Sequence, residues 1–336
     1  VPLWNDWNAT GAPHLANSQS VVFSPFRLPF YVLGFRWALI VSAAAKLLGL
    51  GLASYAFFRA LELRPLAAAA GAVAFAFSGL NVLLLAYPHS AVAIALPAGL
   101  WCVERAVRAR VAWLAGGRAP GSASRRGTRW VLGLCLVLAA GLYCGHPETF
   151  AFALLVIGTY LAARLASAWV RHKSRPGALR ALSGLGLQLV LAGLLAAGLA
   201  AAQLAPFLEY LAHSTTLDSR VMIPLELGNW PLSVFPDALG NPSTGTVMAF
   251  NLPSSNYEEV NTAYVGGLVV WLAALGALVA RSRQYLFFLG CALLGVVYGY
   301  DLLGLHELLG RHLLLSVTPM RRSQVLEGFG LCACAR

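Results

Sequence analysis

The fold turns on one run, Arg36-Trp-Ala-Leu-Ile-Val-Ser-Ala-Ala-Ala-Lys46-Leu-Leu-Gly-Leu-Gly-Leu-Ala-Ser-Tyr-Ala-Phe-Phe58. A hydrocarbon core about 30 Å thick needs about 20 mostly apolar helical residues, and this run meets that need with Lys46 as its only interior charge. Seven more apolar runs follow at 67–87, 91–106, 130–144, 150–166, 182–205, 264–280 and 285–303. The third, fourth and fifth of the eight are short for a full crossing. A further stretch over 325–335 reads as the start of a ninth span. The expected fold class is all-α, a polytopic membrane helical bundle of about eight spans plus a partial ninth.

Composition points the same way. The chain is 59% hydrophobic and only 11% charged, with a mean hydropathy of +0.70, whereas soluble domains carry about 25% charged residues. The 33 glycines and 17 prolines fit membrane helices, where both are more frequent. A net charge of +11 raises nucleic acid as a partner, but its distribution assigns it to topology. The connections 59–64, 105–129, 164–180 and 281–283 hold 16 of the 24 Lys and Arg, as cytoplasmic loops do. Asp6, Glu148, Glu209, Asp237 and Glu258 fall on the opposite side. On this reading the first loop is external, Arg118 and Arg125 are cytoplasmic, and no nucleic acid binds.

The organisation expected is a first external loop at 1–35, six spans with basic cytoplasmic loops at 36–205, a large external loop at 206–262, and the remaining spans with an outer loop at 263–336. The 206–262 loop carries turn signals such as Asn229-Trp-Pro231 and Gly240-Asn-Pro242 and is expected to hold short helices on the membrane face. No internal repeat or separate soluble domain is evident. The six cysteines lack metal-ligand spacing, and Cys332-Ala-Cys334 reads as incidental. Nucleotide cradles and nucleophile elbows are absent.

Polar chemistry concentrates on the outer side. Asp6, between Trp4 and Trp7, is either a general base or an interfacial acid. His146 and Glu148 stand in Gly145-His-Pro-Glu-Thr149, where glycine turns the chain and proline stops the helix. Ionisable residues at that depth are functional candidates, and an ordinary solvated turn is the alternative. His89, after Tyr87-Pro88, occupies a comparable turn. Lys46 lies deep in the first span, where an ammonium needs a partner or a cavity, with a lipid phosphate or a buried carboxylate as the options. Gln203 and Glu209 flank Pro206. Arg220 and Arg321, with Arg311 and Arg322, are outer cations suited to phosphate oxygens. His14, Asn17 and Gln19 complete the first loop. Asp6, His14, His89, His146 and Glu148 are expected to meet at the outer rim, because helices in a bundle bring their same-side ends together.

Pro2-Leu-Trp-Asn5, Gly11-Ala-Pro13 and Leu15-Ala-Asn-Ser-Gln19 resemble the first external loop of the YfhO-like bacterial membrane proteins of the GT-C glycosyltransferase superfamily. Ala74-Phe-Ala-Phe-Ser-Gly79, Gly145-His-Pro-Glu-Thr149 and Gln203-Leu-Ala-Pro-Phe-Leu-Glu209 extend the resemblance in the expected order. It implies transfer of a sugar from a polyprenyl-phosphate-linked donor to a cell-envelope glycan, lipid or protein acceptor at the outer face of the bacterial cytoplasmic membrane, with surrounding membrane lipids as further partners. Asp6, His146 and Glu148 are then the catalytic candidates. His14, Asn17, Gln19, Lys46, His89, Glu209, Arg220 and Arg321 are the substrate-binding candidates. No cofactor is evident, and a divalent metal is left open without a dedicated ligand cluster. Members of the family carry an acidic base upstream of the Pro-Leu-Trp-Asn element. The chain begins at Val1, so it is expected to be a fragment at both ends. A transporter or flippase for lipid-linked sugars, or an inactive fragment, is the rival reading.

Overall fold

The computed structural model describes residues 3–7, 11–116, 120–214, 224–238, 240, 263–279, 282–305 and 320–335, the side chains of 120–126 excepted. A two-stranded hairpin, β1 (Trp4–Asn5) antiparallel to β2 (Ala12–Pro13), opens the chain. Helices α1 (Pro29–Val32), α2 (Phe35–Ala60), α3 (Pro65–Ala76), α4 (Gly79–Leu83), α5 (Pro88–Ala93), α6 (Ala95–Leu114) and α7 (Pro120–Tyr143) follow. Then come α8 (Pro147–His172), α9 (Ala178–Leu199), α10 (Ala201–Ala212), α11 (Gly267–Val279), α12 (Arg283–Gly299) and α13 (Gln324–Cys334).

Four of these stretches are long and apolar enough to cross a membrane: Phe35–Ala60, Pro88–Leu114, Pro147–His172 and Ala178–Leu199. Pro65–Ala76, Gly127–Tyr143, Gly267–Val279 and Arg283–Gly299 are apolar but shorter. On α2 the buried residues Ala38, Ser42, Lys46, Leu50 and Ser54 recur every fourth position, which makes one inward stripe. The other faces of α2 expose Trp37, Ile40, Leu48 and Leu52. In Pro88–Leu114 the apolar window is 78% buried, against 28% in α2 and α9, so α6 is the hub and α2 and α9 are peripheral.

Two spans are longer than the sequence reading. The third and fifth are not short, for Pro88–Leu114 has 27 residues and α8 has 26, whereas the apolar part of the fourth, Gly127–Tyr143, stays short. Several basic residues assigned to loops lie within helices. Arg105, Arg108 and Arg110 continue α6, and Arg164 and Arg171 continue α8. Long basic side chains let a helix extend past the apolar core while their charged ends reach polar partners.

The second span differs in the opposite sense, for 67–87 is broken between α3 and α4. Asn81 Nδ2 donates to the Phe75 carbonyl at 2.7 Å and to Ser78 Oγ at 3.1 Å. The Gly79 N–H donates to the Tyr264 carbonyl at 2.6 Å. Such a break is tolerated at membrane depth only where protein satisfies the freed backbone. The sixth run, 182–205, divides at Ala200 into α9 and α10.

Aromatic side chains lock the centre. Phe329 of α13 meets Phe75 of α3 edge-on at 4.9 Å and stacks on Phe58 of α2 at 5.8 Å. Phe57 meets Tyr160 and Phe288 at 5.9 and 5.7 Å. The stretch read as the start of a ninth span is therefore core: α13 is buried along nearly its whole length. Gly295 permits this packing, because a Cβ there would stand 2.6 Å from the Glu327 amide nitrogen.

Candidate functional site

The site is built where α5 and α8 begin and the first loop folds back. Gly145 has φ +78°, and a Cβ on it would fall 2.1 Å from the Ser18 carbonyl oxygen. A left-handed backbone and this close approach together require glycine. The loop is also tied to α10, where Gln203 Nε2 donates to the Leu15 carbonyl.

Pro147 follows at the first helical position of α8, where its missing N–H costs nothing. His146 is the N-cap, its Nδ1 accepting the Thr149 N–H at 3.2 Å. That bond leaves the proton of the neutral ring on Nε2, which lies 3.6 Å from Glu148 Oε2. Arg322 Nε stands 3.9 Å from the same oxygen. The His146 ring packs on His89, centroids 3.7 Å apart and planes at 38°. Both rings are buried, and neither nitrogen of His89 has a hydrogen-bond partner among the described residues.

Beside this centre is a cavity of about 650 Å³ between the first loop, α2 and the start of α5. Its lining includes Pro88, next to His89, and Cys144, two residues before His146. Lys46 and Arg27 also line it, and among the described residues no Asp or Glu does. The Lys46 ammonium donates to the carbonyls of Leu85 at 2.8 Å and Tyr87 at 3.2 Å. These are the carbonyls that the broken second span leaves outside helices. An ammonium has three donors, so one remains beyond these two neutral bonds. Arg27 lies over the Phe30 ring at 4.8 Å. Phe35, Leu39, Ala43 and Val82 supply apolar wall. The arrangement is a cationic end joined to an apolar slot.

The candidates from sequence divide accordingly. His89, His146 and Glu148 come together, and Lys46 and Gln19 share the adjacent cavity. Lys46 meets carbonyls rather than the carboxylate held open for it. Asn17 serves the first loop locally, its side chain accepting the Gln19 N–H at 3.0 Å. Asp6 is exposed in the turn after β1 and joins no ion pair among the described residues. His14 is half-buried; its backbone N–H bonds to Leu3 O at 2.9 Å, and nothing links its side chain to the histidine pair. Glu209 is exposed on α10. Arg321 sits in the turn Met320–Ser323 beside Arg322. Arg220 and Arg311 lie outside the described residues, as do Arg118 and Glu258.

Sequence reasoning missed one cation lining the cavity and one buried acid on α13. Arg27 carried a usable signal, a lone cation in Phe26-Arg-Leu-Pro-Phe30 just before the first span. Glu327 carried none. It is buried on α13 near the Ser233 side chain, which also approaches Tyr300, while Asn229 Nδ2 lacks a hydrogen-bond partner among the described residues. Among those residues no group of three or more His, Cys, Asp or Glu is placed to hold a metal ion. Compared with family models, curated proteins and solved structures, the chain matches none.

Proposed function

We propose that this chain acts as a membrane glycosyltransferase, taking a monosaccharide from a polyprenyl-phosphate donor and passing it to an acceptor at the outer face of the bacterial cytoplasmic membrane. One observation carries the reading: a cavity of about 650 Å³ with Lys46, Arg27 and, among the described residues, no acid in its lining, walled by apolar side chains. A lipid phosphate matches that combination, its charge on Lys46 and Arg27 and its chain along Phe35 and Leu39. The resemblance of the first loop and of Gly145 to Thr149 to the YfhO-like proteins supports the chemistry.

The reaction is an inverting displacement. The acceptor oxygen bonds to the anomeric carbon as the carbon–oxygen bond to phosphate breaks. The leaving lipid phosphate takes the electron pair and is stabilised by the two cations. The acceptor proton passes to a carboxylate. Glu148 suits that role better than His146, whose Nδ1 is already occupied by the Thr149 N–H. His146 is then a positioning residue for Glu148 through its Nε2–H, and His89 offers two nitrogens to sugar hydroxyls.

The experiment uses purified protein in proteoliposomes with a labelled polyprenyl-phosphate sugar on the accessible face. Transfer to acceptor that falls in Lys46→Met and Glu148→Gln supports the reading. Movement of the donor across the bilayer without transfer assigns a flippase instead. The orientation is tested separately by labelling single cysteines at positions 125 and 237 with an impermeant reagent in intact cells, after the native cysteines are removed. Position 237 should react and position 125 should not.

A further inference from the structure

The opposite end of the bundle holds most of the arginines, and their charge does not balance. Glu104 is fully buried on α6 and accepts Arg164 Nε at 2.6 Å, Arg164 NH2 at 2.9 Å, Arg108 Nε and the Tyr160 hydroxyl at 2.8 Å. Arg108 also reaches Glu62. Two carboxylates thus serve Arg108 and Arg164. Arg171 and Arg283, in the same region, have no carboxylate partner among the described residues.

Both arginines face one cavity. It lies between α8 and α12, measures about 590 Å³ and is lined by Arg164, Ser167, Arg171, Arg283, Gln284 and Phe287 among others. A second cavity of about 340 Å³ shares Arg164, Arg171 and Gln284 with it and is also lined by Glu62, whose carboxylate is taken by Arg108. Arg171 is held along its own helix by Ser167, with NH2 to Oγ at 2.9 Å, which orders the guanidinium without neutralising it. Arg283 begins α12, so the positive end of a 17-residue helix adds to the same field. Ala163, Val170 and Phe287 make the remaining wall apolar, and Val170 is 58% exposed.

We infer that this cavity is a binding site for an anionic phospholipid, its phosphate between Arg171 and Arg283 and an acyl chain against Phe287 and Val170. Charge selects the occupant. Two guanidinium groups without a carboxylate partner among the described residues favour a phosphodiester that has no ammonium beside it, so a zwitterionic headgroup is discriminated against. The apolar wall gives a lipid an advantage over inorganic phosphate. The site is independent of the Lys46 cavity and of any sugar transfer.

The test titrates the purified full chain in mild detergent with phosphatidylglycerol or phosphatidylcholine and counts bound lipid by native mass spectrometry. Phosphatidylglycerol should bind the more tightly. Arg171→Ala with Arg283→Ala should weaken it about 30-fold, two basic residues each contributing about five-fold, while the melting temperature stays unchanged. Arg171→Lys with Arg283→Lys keeps the charge and should retain most of the binding, and Arg36→Ala near the other end should retain all of it. Inorganic phosphate at matched concentration should not displace the lipid. Equal binding of the two lipids, an unaltered affinity in the double alanine variant, or displacement by inorganic phosphate would each overturn the assignment.

Discussion

Glu104 and Lys46 are both buried charges, yet the bundle treats them in opposite ways. Glu104 receives four donors from Arg108, Arg164 and Tyr160, which fills the acceptor capacity of a carboxylate. Lys46 is given two neutral carbonyls and a cavity that contains a second cation. His89, near it, has both nitrogens without a partner. A saturated charge has no valence left for a ligand, so Glu104 serves to hold helices α6 and α8 together. An under-satisfied group costs stability in the empty state and regains it when a ligand of opposite character arrives.

Four substitutions probe that contrast, and the largest effect belongs to the saturated end. Glu104→Ala leaves two guanidinium groups facing a void and should cost about 3–5 kcal/mol, read as a large fall in melting temperature in detergent. An unchanged melting temperature would break the comparison at its stronger half. Gly145→Ala comes next. Left-handed backbone alone costs about 1–3 kcal/mol for a residue with a Cβ, and the Ser18 carbonyl blocks the new methyl. The variant should expose the first loop to limited proteolysis, and a loop as resistant as the parent's would refute its docking on Gly145.

Lys46→Met sharpens the comparison from the other side. Turnover should fall about a hundred-fold, as when one donor to a developing anion is removed, while the melting temperature holds or rises. If both stay unchanged, Lys46 lies outside the site. His89→Phe should disturb the fold least. Two partnerless nitrogens are exchanged for ring carbons of similar shape, so stability should move by under about 1 kcal/mol even as donor binding weakens. A greater loss of stability would mean that the imidazole is already satisfied.

Much of the architecture was legible because charge and hydropathy are local properties. Lys46 stood out as an ammonium inside an apolar run, and Gly145-His146-Pro147 as a turn followed by a helix start. What holds Lys46 was not legible. Leu84 to Tyr87 read as the end of a continuous span, and only the break between α3 and α4 frees the carbonyls of Leu85 and Tyr87. The length of α6 was hidden for a related reason, since Arg105, Arg108 and Arg110 resemble a loop until the burial of Glu104 is known. Asp6 and His14 failed to join the centre because sharing an end of the bundle brings residues near one another without aiming their side chains. The packing of His89 on His146 is a contact between two helix starts, and neither local sequence encodes it.

The hydrogen bond from Gly79 to Tyr264 has a consequence for how the protein is made. The break between α3 and α4 is synthesised early, and the carbonyl that completes it is added only after α10 and the long segment beyond. Chains are made and inserted from the N-terminus onward, so throughout that interval the Gly79 amide must remain in water or with the insertion machinery, because lipid offers it no acceptor. The second span is therefore finished by a residue from the far end of the chain. Its early form is a provisional one, held by Asn81 and the local backbone bonds around Ser78, and a ribosome stalled before Tyr264 should leave this helix pair accessible to crosslinking with the insertase.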